Sequence, residues 1–134
     1  MITQDNALST QKLKKLDALR QALNAFHEQR QQTCNIFFTP SPLVDGSFRE
    51  LLMRCGKPNC HCHSQPAHLI SRLSHWEQGK LKNKVVRVAD RERIKALSDN
   101  YKEHTQALSQ LLKINKKEYQ LLKNVINLKV ILYE

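Results

Sequence analysis

The sequence predicts an α+β fold: a small antiparallel β element of two or three strands, flanked by an N-terminal helix and a long C-terminal coiled-coil-like helix. Three observations predict it. Apolar residues recur at helical spacing toward both ends, β-branched and alternating stretches fall in the middle, and three of the four cysteines crowd into positions 55–62 between them. The implied division is residues 1–32 as an amphipathic helix, 33–90 as the β region, and 91–134 as the long helix and tail.

Over residues 4–30, Leu8, Leu13, Leu16, Leu19, Leu23 and Phe26 recur three to five positions apart, with Lys, Gln and Asp between them and no proline or glycine. So narrow a stripe is marginal alone in water and needs a second helix, from this chain or another copy, to cover it. Residues 31–38 then read as a short β-like run, and Pro40 and Pro42 break regular structure because proline fixes its own φ and biases its predecessor. Asp45-Gly46 signals a turn, and residues 47–54 are expected to form a strand leading into the cysteines, with a short helix as the alternative. Residues 69–76 and 84–88 read as two strands joined around Glu77-Gln78-Gly79-Lys80.

Asp90 has the chemistry to cap a helix running from about Arg91 to at least Lys123. Within it Ile94, Leu97, Tyr101, His104, Leu108 and Leu111 follow a 3-4 spacing, continued by Asn115 and, after a phase slip, by Tyr119, Leu122 and Ile126. This predicts either a self-associating seam, giving a homodimer through the helices, or an ordinary amphipathic helix packed on the first one. The tail from Asn127 is open between helix and strand.

With aromatics at only 6% of 134 residues, a large single core is not expected, and a chain of this kind usually gains stability from a metal, a disulfide or a partner. No apolar run is long enough for a membrane span and the N-terminus lacks a secretion signal, so a cytoplasmic protein without membrane attachment is expected. There, cysteines serve as metal ligands or free thiols rather than as a disulfide framework.

The cluster reads Arg54-Cys55-Gly56-Lys57-Pro58-Asn59-Cys60-His61-Cys62-His63-Ser64-Gln65-Pro66-Ala67-His68. Structural zinc takes four ligands in a tetrahedron and prefers thiolate and imidazole. Cys55 and Cys60 bracket a Gly-Lys-Pro-Asn turn whose N–H groups can bond the sulfurs, and Cys60 and Cys62 share one side of an extended chain. A bend at Ser64-Gln65-Pro66 brings His68 back as fourth ligand, with His63, His61 and Cys34 as alternatives. The expectation is one structural Zn2+ on Cys55, Cys60, Cys62 and His68. Cys34, among apolar neighbours, reads as a buried thiol.

These residues carry a resemblance. Arg54, Cys55, Gly56, Lys57, Cys60, Cys62 and His68 match the R-C-G-K-x-x-C-x-C-x5-H signature of an uncharacterised family of small prokaryotic Cys-rich proteins, often encoded near mobile elements. Gly46-Ser47, Trp76, Gly79-Lys80 and the downstream helix match too, so the resemblance covers about residues 44–125. The chain departs from the family at residues 69–73, where glycine, proline and tyrosines usually stand. The resemblance implies a zinc-stabilised β element on a helical stalk, brings no established activity, and suggests an accessory factor of a mobile element.

Charge directs the functional expectation. The net charge is +10, and residues 46–95 hold eleven Lys/Arg against four Asp/Glu, a local excess of 11 − 4 = +7. That favours an anionic partner: nucleic acid, DNA before RNA, contacted by Arg54, Lys57, Arg72, Lys80, Lys82, Lys84 and Arg87. The bland alternative for the charges is a solvated surface, and Trp76 is expected to be the large anchor of a small core before it is a stacking platform. No metalloprotease, phosphate-loop, dinucleotide or nucleophile-elbow pattern occurs, so no enzyme is expected. The competing class is a protein–protein adaptor or coiled-coil oligomer in which zinc only braces the fold.

Overall fold

The computed structural model describes residues 7–66 and 68–133. The elements run α1 (Thr10–Cys34), β1 (Ser47–Met53), β2 (His68–Glu77), β3 (Lys80–Val86) and α2 (Arg91–Lys129). This is the α+β arrangement expected: an N-terminal helix, a three-stranded antiparallel sheet of order β1-β2-β3, and a long C-terminal helix. The chain divides into two compact units. One joins the chain up to Thr39 with the chain from Gln106 onward, and the other runs from Pro40 to Thr105, so α2 contributes to both.

In the helical unit, α1 begins where Ser9 accepts the Lys12 backbone N–H at 3.3 Å, an N-cap bond of the kind worth about 1 kcal/mol. Residues 4–6 of the expected helix lie outside the described residues. The β-like run expected at 31–38 is not a strand. The helix continues to Cys34 and tightens into a 3-10 turn over Asn35–Phe38, closed by the Thr39 hydroxyl donating to the Ile36 carbonyl. Nothing before Pro40 breaks the helix, so the β propensity of Thr33, Ile36 and Phe37 is overridden.

The α2 seam also differs from expectation after His104. Ala107, Ile114 and Leu121 are buried, with Leu111, Glu118 and Val125 half-buried, whereas Leu108, Asn115, Tyr119, Leu122 and Ile126 stand exposed. Two stripes one residue apart both satisfy 3-4 spacing, and residue size favours Leu108 over Ala107. The stripe that carries Ala107 is the one that is buried. Glu118 enters the seam because Arg30 of α1 meets it at 2.6 Å and also donates to Asn115 Oδ1 at 2.7 Å. Arg30 thus joins α1 to α2 within one chain. Beyond Lys129, residues 130–133 are irregular.

In the β unit, β1 pairs with β2 from Ser47↔Ser74 to Met53↔His68, and β2 with β3 from Ser71↔Val86 to Glu77↔Lys80. The strand expected at 84–88 starts earlier, because the bend is a two-residue turn in which Gln78 (φ 51°) and Gly79 (φ 78°) both take left-handed backbone. That geometry matches the right-handed twist of the flanking strands. Gly46 (φ 147°) lies so close to β2 that an added Cβ would meet the Ser74 carbonyl oxygen at 2.8 Å.

The first turns of α2 hold the segment entering β1. The Ser98 hydroxyl accepts the Phe48 N–H at 3.1 Å and donates to the Gly46 carbonyl at 2.8 Å, and the Leu97 carbonyl accepts the Val44 N–H at 3.2 Å. Asp90 ends a 3-10 turn, Val88–Asp90, that runs directly into the helix. No helix among the described residues is long and apolar enough to cross a membrane.

Candidate metal centre

The register fixes where the cysteines meet the histidine. Met53 and His68 form the last pair of the β1–β2 ladder, so Cys55 leaves the end of β1 just where His68 begins β2. The chain between them turns at Gly56 (φ 79°), is closed by the Cys60 N–H on the Lys57 carbonyl at 3.2 Å, and forms a 3-10 turn at His61–His63. Arg54 braces this loop by donating to the Ser64 carbonyl at 3.4 Å.

One ligand atom each from Cys55, Cys60, Cys62 and His68 lies within 4.8 Å of all the others. Cys55 Sγ is 3.3 Å from Cys62 Sγ, and Cys60 Sγ is 3.2 Å from His68 Nε2. In a tetrahedral site with metal–sulfur bonds of about 2.3 Å, neighbouring sulfurs stand ~3.8 Å apart. The cluster therefore fits a metal ion by both spacing and donor chemistry. Cys62 is the innermost ligand, 1% exposed, while Cys55 is exposed.

Backbone donors prepare the sulfurs for charge. The Lys57 N–H, then the Cys62 side chain, pull the Cys55 thiol below its ordinary value. Cys60 is lowered by the Cys62 backbone N–H and then by His68. For Cys62 the Cys55 N–H lowers the thiol, but burial and its two sulfur neighbours together outweigh it and push the thiol up. Three thiols this close cannot all ionise without a cation among them.

The alternative fourth ligands fall away. His61 and His63 are exposed, and His61 comes near only through Nδ1, 3.8 Å from Cys60 Sγ, outside the four-residue group. Cys34 is a half-buried free thiol at the end of α1.

The basic residues are not gathered onto one surface. Lys80, Lys82 and Lys84 pair across the strand with Glu77, His75 and Leu73, so they share one face of the hairpin. Lys82 is engaged by Glu77 at 3.4 Å. Arg72 lies on the opposite face, and Arg54 and Lys57 belong to the cysteine loop. Arg87 sits in the link after β3. Trp76 is not the expected core anchor. It is 69% exposed and opposes Leu81, itself exposed, on the face away from the lysines. The residues missed from sequence are Leu81 and Val85, which accompany Trp76. The alternation Lys80-Leu81-Lys82-Asn83-Lys84-Val85 carried that signal.

Searches of the curated proteins and of the solved structures gave no match. A family model described as a domain of unknown function, DUF6788, matches residues 11–96, which takes in nearly all of α1, the whole sheet and all four candidate ligands. With more than half of its length matched, the chain belongs to this uncharacterised family.

Proposed function

We propose that the chain is a non-enzymatic nucleic-acid-binding protein whose β unit is braced by one structural zinc ion. The observation that carries the reading is the convergence of three cysteine sulfurs and the His68 imidazole within 4.8 Å at the mouth of the β1–β2 hairpin. Thiolate and imidazole donors suit zinc and ill suit magnesium or calcium, which take oxygen ligands. Bound there, zinc would supply folding free energy, and four protein ligands leave no open position for a reacting group.

Support for the anionic partner comes from the local excess of basic residues and from their exposure on the sheet and hairpin. Phosphates carry most of such binding, with DNA the first candidate. In this reading the protein works as an accessory binding factor beside a mobile-element enzyme. The test is binding of metal-replete protein to mixed-sequence DNA and RNA over a salt series. Affinity should fall steeply with salt, and absence of binding at low salt would reject the reading.

One observation favours a second reading, an adaptor or homodimer formed through the helices. Leu108, Leu112, Tyr119, Leu122 and Ile126 repeat along one exposed face of α2. Sedimentation separates the two: a stable oligomer that binds no nucleic acid supports the adaptor.

A further inference from the structure

The β2–β3 hairpin and the neighbouring β1 present two chemically different faces. Cross-strand partners and alternate residues share a face, so Trp76 and Leu81, Arg72 and Val85, and Arg49 opposite Arg72 stand together, away from Lys80, Lys82 and Lys84. Trp76 is 69% exposed, Leu81 52% and Val85 73%. The chain's single tryptophan thus lies in solvent beside exposed Leu81 although a half-buried position exists one residue away, at His75.

The charges on this face are also uncommitted. Among the described residues neither Arg49 nor Arg72 makes an ion pair, and the Arg72 guanidinium donates only to the Met53 sulfur, at 3.2 Å. A thioether is a weak acceptor, so the guanidinium retains most of its capacity for an anion. On the lysine face, by contrast, Glu77 already neutralises part of the charge. A concave surface of about 870 Å³ runs over the Trp76 face, lined by Arg49, Arg72, Ser74, Trp76, Leu81 and Asn83. At its α2 side are Asp45 and Asp99, of which Asp45 already accepts from the Tyr101 hydroxyl.

We propose that this face is a base-stacking platform for single-stranded nucleic acid: Trp76 stacks on a base, Leu81 and Val85 extend the apolar bed, and Arg49 and Arg72 hold phosphates. The inference rests on the nucleic-acid reading above and deepens it by naming the strand state and the contact face. An exposed indole offers energy only to a base whose π-face is free, which a duplex supplies only at its ends. The two unpaired guanidiniums favour an anionic chain over an uncharged apolar partner.

The experiment uses the full metal-replete chain, with labelled oligo(dT) and oligo(U) of about ten nucleotides and a mixed-sequence duplex of equal length. Anisotropy reports binding, and the emission of Trp76, the only indole present, reports stacking. Saturable quenching at the anisotropy midpoint is expected, with tighter binding of at least one single strand than of the duplex. Trp76→Ala should weaken single-strand binding about tenfold or more, and Trp76→Phe should weaken it less. Zinc content and circular dichroism confirm that both variants fold. Binding without quenching, an unaffected Trp76→Ala variant, or tighter duplex binding overturns the platform while the nucleic-acid reading stands. No binding by either strand state removes both.

Discussion

Cys62 Sγ accepts the backbone N–H of Cys55 at 3.2 Å while standing 3.3 Å from the Cys55 sulfur itself. The same buried sulfur is thus placed to be a metal ligand and to hold the loop's two ends together. Residues 55 and 62 flank the turn, and His68 returns as the next strand begins. The four candidate ligands close the β1–β2 hairpin, and the unit that contains them is small: only Ser71, Val86 and Ser98 join Cys62 as buried residues between Pro40 and Thr105 among those described. Small units of this kind draw on a metal for stability that a hydrophobic core cannot supply.

Exchanging Lys80, Lys82 and Lys84 together for glutamate tests the hairpin's electrostatic part. Nucleic-acid affinity is expected to fall, and the slope of log affinity against log salt to flatten by about 0.7–0.9 for each phosphate that the protein no longer neutralises. The exposed positions predict an unchanged melting temperature. An unaltered slope would assign phosphate binding to other residues.

Ser98→Ala should destabilise the β unit by about 1–3 kcal/mol, measured by urea unfolding. Ser98 is buried, and its hydroxyl serves both the Phe48 N–H and the Gly46 carbonyl. Its loss strands both backbone groups at the entry to β1. A variant as stable as the parent would mean that water replaces the hydroxyl without cost.

The helical unit carries a pH-dependent contact. Hydrogen bonding from Arg30, opposed by burial and reinforced by the Arg30 charge, holds the Glu118 carboxyl below its usual value. A depressed carboxyl contributes stability that is present above the unfolded-state pKa and lost as pH falls through the folded one. Glu118→Gln should therefore lower the melting temperature at neutral pH, with the difference from the parent shrinking steadily once the pH drops below the ordinary glutamate range. A constant difference across that range would exclude the ion pair as its source.

How far the sequence reveals the molecule depends on how local each signal is. The ligands were legible because Cys55, Cys60, Cys62 and His68 lie in one short segment whose turn residues dictate the bends. The hairpin was legible from Gln78-Gly79, though not its length, since Glu77 and Lys80 look like turn residues yet pair across the strands. The end of α1 was hidden because β-prone residues there follow the helix until Pro40 stops it. The α2 seam was hidden because Ala107 and Leu108 offer competing stripes, and only the partner helix decides between them. Trp76 was misplaced for a related reason: alternation fixes which residues share its face, but not which face of a three-stranded sheet remains uncovered.

The most direct test of the account is the metal content of the purified protein, read together with its thermal melt. The prediction is about one zinc per chain, with Cys60→Ser losing the ion and melting at a lower temperature, because metal binding and folding are linked. Protein that carries no metal and melts identically with and without a chelator would contradict it.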